Sequence, residues 1–139
     1  MYQYRAVDKK GYTIDCYFSS KRDKKSAKKF FVKALKSARK PIKINIDKSG
    51  SNTAALIDIN KNFAEDDQIE IRQCKYLNNI VEQDHKFIKK ITRPTLGFQA
   101  EHSASATLEG IELHHMLRKG QHENSANLTV FEQFVALAA

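Results

Sequence analysis

Residues 76–90 read YLNNIVEQDHKFIKK. Asn78 or Asn79 can cap a helix, and the periodicity predicts that helix as far as Arg93, where Pro94 follows. Projected at about 100° per residue with Glu82 at zero, Ile80, Phe87, Ile88 and Ile91 fall between about 140° and 240°, which marks a core face. Glu82, His85, Lys86, Lys89 and Arg93 fall within about 60° of zero. One acid therefore heads a face otherwise made of cations. Such an acid can hold a metal ion while the cations below it hold phosphates. The same pattern also fits an amphipathic helix whose outer face is simply charged.

The segment upstream favours the first of those readings. In PIKINID (41–47), Ile42, Ile44 and Ile46 alternate with Lys43, Asn45 and Asp47. This predicts a short strand that buries its isoleucine face and carries Asp47 at its C-terminal end. An acid at the end of a buried strand and another near the start of a helix is the arrangement that two-metal phosphoryl transfer needs. Rigid elements then hold two divalent ions roughly 3.5–4 Å apart, one to activate the attacking oxygen and one to stabilise the leaving oxygen.

Working outward, Gly50 is expected to break the chain. Asn52 to Asn62 reads as a short helix with Ala55, Leu56 and Ile59 inward, and Ile69 and Ile71 alternate with Glu70 and Arg72 in another strand. Tyr2 to Val7 and Thr13 to Ser19 are strands of a hairpin around the turn residues Asp8-Lys9-Lys10-Gly11. Residues 21–40 hold ten lysines and arginines around one helical stripe of Ala27, Phe30, Phe31, Ala34, Leu35 and Ala38, with Pro41 to stop the helix. These lysines suit either a DNA-facing surface or a solvated one. Downstream, Gly97 marks a loop and Ser103 to Lys119 a helix before Gly120, with Ala104, Leu108, Ile111 and His115 inward. A last helix covers Thr129 to Ala138. The order predicts one α/β domain over residues 1–139, with a mixed sheet and flanking helices.

The totals agree. A chain of 139 residues suits one core, and 41% hydrophobic with 29% charged residues suits a soluble globular protein. No apolar run approaches the roughly 20 residues that span a bilayer. The opening MYQYRAVDKKG has no signal-peptide pattern, so a cytoplasmic location is expected. Cys16 and Cys74 form no disulfide framework or zinc spacing. Lysine and arginine total 24 against 16 acids, a net charge of +8 that favours polyanions and nucleic acid above all.

With those residues in view, YLNNIVEQDHKFIKK and INIDKSG resemble the bacterial insertion-sequence transposases of the DDE class, in particular the insertion-sequence-six group. Thirty-four residues separate Asp47 from Glu82, as between that group's second and third acids, and Lys89 stands seven residues after Glu82, where the group has Lys or Arg. The resemblance continues through YRAVDKKGYTID, KRDKKSAKKF, TRPTLGF, ATLEGIELHHMLRKGQ and FEQF. It implies an RNase H-like catalytic fold shared with retroviral integrases, dependence on Mg²⁺ or Mn²⁺, and the cutting and joining of transposon-end DNA by a homo-oligomeric, nucleoid-associated enzyme. It makes Asp47 and Glu82 catalytic metal ligands and Lys89 a DNA contact, beside Lys86, His85 and Arg93.

In the family, the first catalytic aspartate lies in a strand ahead of the segment matching YQYRAVD. That strand is central in the sheet. Asp8 and Asp15 do not match its acid. The resemblance therefore implies a domain incomplete at its N-terminus and inactive alone, in which the strands at Tyr2–Val7 and Ile42–Ile46 lose their shared neighbour. The alternative is a remnant without chemistry that acts as a non-specific basic DNA-binding module.

Overall fold

The computed structural model describes residues 2–74, 79–92, 101–123 and 125–138. The chain divides into two compact units, 1–84 and 85–139.

The first unit begins with the expected hairpin. Strands β1 (Tyr2–Val7) and β2 (Thr13–Ser19) pair antiparallel, with Tyr4 opposite Tyr17 and Arg5 opposite Cys16. Asp8 builds the turn: its carboxylate accepts from the backbone N–H of Lys10 and Tyr12 at 2.8 and 2.9 Å. Gly11 completes it at φ +84°, a conformation that side chains with a Cβ rarely adopt.

Helix α1 (Lys24–Ser37) follows. Asp23 caps it by accepting the Ser26 N–H at 2.8 Å, and that bond holds the Asp23 carboxyl below the usual aspartate range. Ala27, Phe30, Phe31 and Ala34 are buried as the periodicity predicts. The helix stops at Ser37, with Ala38 already extended, so it ends before Pro41 is reached.

Strand β3 (Lys43–Ile46) and strand β4 (Glu70–Gln73) pair in parallel, and helix α2 (Gly50–Asn60) lies between them in sequence. A single 3-10 turn at Glu65–Asp67 leads into β4. The Asn60 side chain fixes that return: its amide donates to the Ile69 carbonyl at 2.9 Å and its oxygen accepts the Ile69 N–H at 3.1 Å. Ala55, Leu56 and Ile59 of α2 are buried, and they join Tyr4, Phe30, Phe31, Ala34 and Ile46 in one core. Tyr4 stacks on Phe30, so the hairpin and α1 share that core with β3 and α2.

Two expectations need correction here. Ile42 is 83% exposed, because the strand starts one residue later at Lys43 and the isoleucine face begins at Ile44. Gly50 does not break the chain: it opens α2 behind the Ser49 cap position.

The α/β class holds, and the strands form two separate two-stranded sheets. One pair is antiparallel, β1 with β2, and the other parallel, β3 with β4.

The second unit contains most of α3 (Asn79–Thr92), α4 (Glu101–Arg118) and α5 (Val130–Ala138). Ile88 is fully buried, and the Phe87 ring stacks on His115 with centroids 4.1 Å apart. His115 is thus a packing residue. Ile91, expected in the core, is exposed. Helix α4 buries Ala104 and Leu108 as predicted, and also Glu112 and Leu117. It closes on Gly120 at φ +70°. The Gly120 N–H donates to the Leu117 carbonyl at 2.9 Å and the Gln121 N–H to the Met116 carbonyl at 3.2 Å, the Schellman pattern. Thr129 and Glu132 cap α5 reciprocally: the Glu132 carboxylate accepts the Thr129 N–H at 2.7 Å and the Thr129 hydroxyl accepts the Glu132 N–H at 3.3 Å. No helix among the described residues is long and apolar enough to cross a membrane.

Candidate functional site

Asp47 follows directly on β3, where the chain leaves the strand for the first turn of α2. Ile46 beside it is buried and anchors that end of the strand. The carboxylate has three partners. One oxygen, Oδ1, accepts the Ser49 N–H at 3.2 Å and the Asn52 side-chain amide at 3.1 Å. The other, Oδ2, meets the Arg22 guanidinium at 3.1 Å. The orientation of the acid is therefore fixed from the α2 side by two N–H donors.

The Arg22 contact is of a different kind. The two side chains are 54% and 43% exposed, and an ion pair so open to water is worth about 0–1 kcal/mol. A divalent cation or a phosphate can displace it at little cost. Arg22 was read in the sequence only as one of ten cations, and its pairing with Asp47 across 25 residues carries no local signal.

Glu82 lies in the first turn of α3 and is exposed. It makes no hydrogen bond or ion pair among the described residues. Lys86 and Lys89 are exposed on the same helix, and at helical spacing they share its side with Glu82. His85 is half-buried on the flank. Arg93 lies outside the described residues.

The other two acids considered for a metal site are committed elsewhere. Asp8 holds the hairpin turn. Asp15 pairs with Lys33 at 3.0 Å and accepts the Ser37 hydroxyl at 2.9 Å, which ties β2 to α1. Among the described residues no group of three or more His, Cys, Asp or Glu side chains stands ready to hold a metal ion. The donor chemistry of Asp47 and Glu82, hard carboxylate oxygens, fits Mg²⁺ or Mn²⁺. Their number falls short of a complete set.

Comparison with known proteins bears on these residues. A family model described as a DDE domain, of the IS240 transposase type, matches residues 1–121. The transposase for insertion sequence-like element IS431mec of Staphylococcus aureus strain Mu50 is 35% identical over 130 residues, covering 94% of this chain and 55% of its own length. The transposase for insertion sequence element IS257 in transposon Tn4003, also of Staphylococcus aureus, matches with the same identity and coverage. The chain thus spans about half the length of the curated relatives it matches. No solved structure matches.

Proposed function

We propose, on the premise that this chain belongs to the DDE-domain transposase family of insertion sequences, that it supplies two of the catalytic carboxylates for DNA strand cleavage and strand transfer. The observation that carries this reading is the mounting of Asp47. It stands at the carboxyl end of β3, one oxygen held by the Ser49 and Asn52 donors, with thirty-four residues between it and the unengaged Glu82.

In this reading Asp47 and Glu82 are the ligands for Mg²⁺ or Mn²⁺. The family implies divalent-metal dependence, and such ions supply activation of an attacking water or 3′-hydroxyl and stabilisation of the leaving oxygen. The chain's own residues do the rest. Asp47 and Glu82 present anionic oxygens from two rigid elements. Lys86, Lys89 and His85 hold DNA phosphates along α3, where the lysines are exposed and have no competing acid among the described residues, and Arg93, next in sequence after the helix, is assigned the same role. Arg22 leaves Asp47 as the site loads.

By the family's pattern the third acid comes from a strand ahead of the segment matching YQYRAVD, and within this chain Asp8 and Asp15 are both occupied with structural bonds. Single-stage DNA chemistry therefore requires that strand, and the residues described hold two thirds of the site. The full enzyme acts on transposon ends and target DNA as a homo-oligomer at the nucleoid.

The test is Mn²⁺ binding, followed by paramagnetic broadening of amide resonances. Broadening centred on Asp47 and Glu82, weakened by Asp47→Asn and by Glu82→Gln, is the expected result. Broadening that both substitutions leave unchanged would sink the assignment. The second reading, a basic DNA-binding module without chemistry, draws on the Arg22–Asp47 pair, which already neutralises the acid. It predicts salt-sensitive DNA binding that Asp47→Ala and Glu82→Ala do not alter, even with a third acid supplied.

A further inference from the structure

The ten cations of residues 21–40 are not equivalent once the chain is folded. Arg22 pairs with Asp47 and Lys33 with Asp15. Lys24 and Lys28 both pair with Asp58 on α2, and together they hold the Asp58 carboxyl below the usual range, the Lys28 hydrogen bond first. Lys40 pairs with Asp67 and lies over the Phe63 ring. Five exposed cations are left without a hydrogen bond or ion pair from their side chains among the described residues: Lys21 and Arg39, which flank α1, and Lys25, Lys29 and Lys36, which lie on it.

The three on α1 form one line. With Lys25 at zero on α1, Lys29 falls at about 40° and Lys36 at about 20°, with Val32 between them at about −20°. The buried Ala27, Phe30, Phe31 and Ala34 lie on the opposite side, between about 140° and 240°. On one flank Lys24 and Lys28 share Asp58 and on the other Lys33 pairs with Asp15, so the lysines of α1 with no acid partner among the described residues are those of the crest.

The arrangement is unfavourable for the helix itself. Helix α1 contains no acid, so no i,i+4 pair can relieve these lysines. Lys25 and Lys29 repel each other at i,i+4, and Lys25 sits in the first turn, where the helix dipole disfavours a cation. A face serving only solubility mixes both signs. A line of fixed negative charge removes all three penalties.

We infer that the Lys25–Lys29–Lys36 crest of α1 is a second DNA-binding surface that grips the phosphate backbone of a duplex. This rests on the proposed function for the choice of DNA. The crest runs about 16 Å along the helix axis, which covers about five phosphates of one strand along a duplex. A membrane surface fits less well, because the apolar side of α1 is spent on the core and only Val32 could enter lipid. The contact is to backbone alone and carries no sequence preference.

The experiment is fluorescence anisotropy of the whole chain on a random-sequence duplex, as a function of salt. Three variants are compared with the unmodified protein: Lys25→Gln/Lys29→Gln/Lys36→Gln; a control removing the same charge at exposed sites, Lys9→Gln/Lys10→Gln/Lys61→Gln; and Lys86→Gln/Lys89→Gln on α3. The crest variant should lose about 2.7 from the slope of log affinity against log salt, about 0.9 for each contact, and the control far less. Replacing the three crest residues by arginine should restore the slope. Equal losses in crest variant and control would overturn the inference. A loss confined to the α3 variant would also overturn it and leave the proposed function standing. No salt-dependent binding by the unmodified chain would remove the DNA contacts of both.

Discussion

Asp47 leaves a strand whose core it shares with two helices and meets three neighbours at its carboxylate, whereas Glu82 stands exposed in the first turn of α3 and meets none among the described residues. The contrast separates two tasks within one candidate site. The strand-end acid is oriented in advance by N–H donors that hold it whether or not a cation is present. The helix acid has no hydrogen bond or ion pair among the described residues to hold its rotamer. In the proposed site the first carboxylate would set geometry and the second would adapt to the ligand.

That contrast can be broken by experiment, and the largest effect should lie beneath Asp47. Leu56 is fully buried in the core that carries β3 and α2, so Leu56→Ala should cost about 2–5 kcal/mol in urea denaturation of the first unit. A cost under about 0.5 kcal/mol would mean that the mount of Asp47 does not depend on that core. Arg22→Gln comes next, with a loss of at most about 1 kcal/mol, because the ion pair is half in water. A much larger loss would show Asp47 locked by Arg22 and not merely screened by it.

Acid titration should act on the same mount more weakly. Lys28 and then Lys24 lower the folded-state pKa of Asp58 below its unfolded value, so the stability it contributes is complete above the unfolded pKa near 4. It is lost as the pH falls through the folded value. Denaturation midpoints of the unmodified chain and Asp58→Asn should therefore converge as the pH drops below about 4, and added salt should narrow the gap at neutral pH. Persistent separation at low pH would assign the α1–α2 tie to something other than these charges. The smallest effect belongs to Glu82→Ala, expected within about 0.5 kcal/mol of the unmodified protein. A marked destabilisation would give Glu82 a structural role and weaken its reading as a ligand.

Local patterns were legible where one periodicity dominated. The stripe on α1 follows from the 3.6-residue repeat, and Ala27, Phe30, Phe31 and Ala34 are buried accordingly. Asp8 and Gly11 declare the hairpin turn because both the Asx bonds and the positive φ are local demands. Periodicity misled at Ile42 and Ile91, which continue an apolar pattern beyond the point where neighbouring elements cover it. In α5 the sequence was read only for the helix, not for its inward face. That helix buries Gln133, whose amide reaches the Leu128 carbonyl at 3.0 Å, and leaves Phe131 75% exposed. Burial of Glu112 on α4 was equally invisible, since an acid inside a helix pattern reads as solvent-facing.

The sequence by itself determined the family, the identities and spacing of Asp47, Glu82 and Lys89, and the helices and strands that carry them. These follow from residue order, and neither a spacing nor a periodic stripe needs a neighbour to be read. Only the tertiary structure decided which charges are spoken for. It gave Asp47 its Ser49, Asn52 and Arg22 partners, divided the lysines of α1 into paired flanks and an unpaired crest, and left the β1 and β3 pairs as separate sheets. The physical reason is range. A helix or a tight hairpin is governed by contacts a few residues apart, while an ion pair or a sheet edge is settled between segments tens of residues apart that meet only when the core forms.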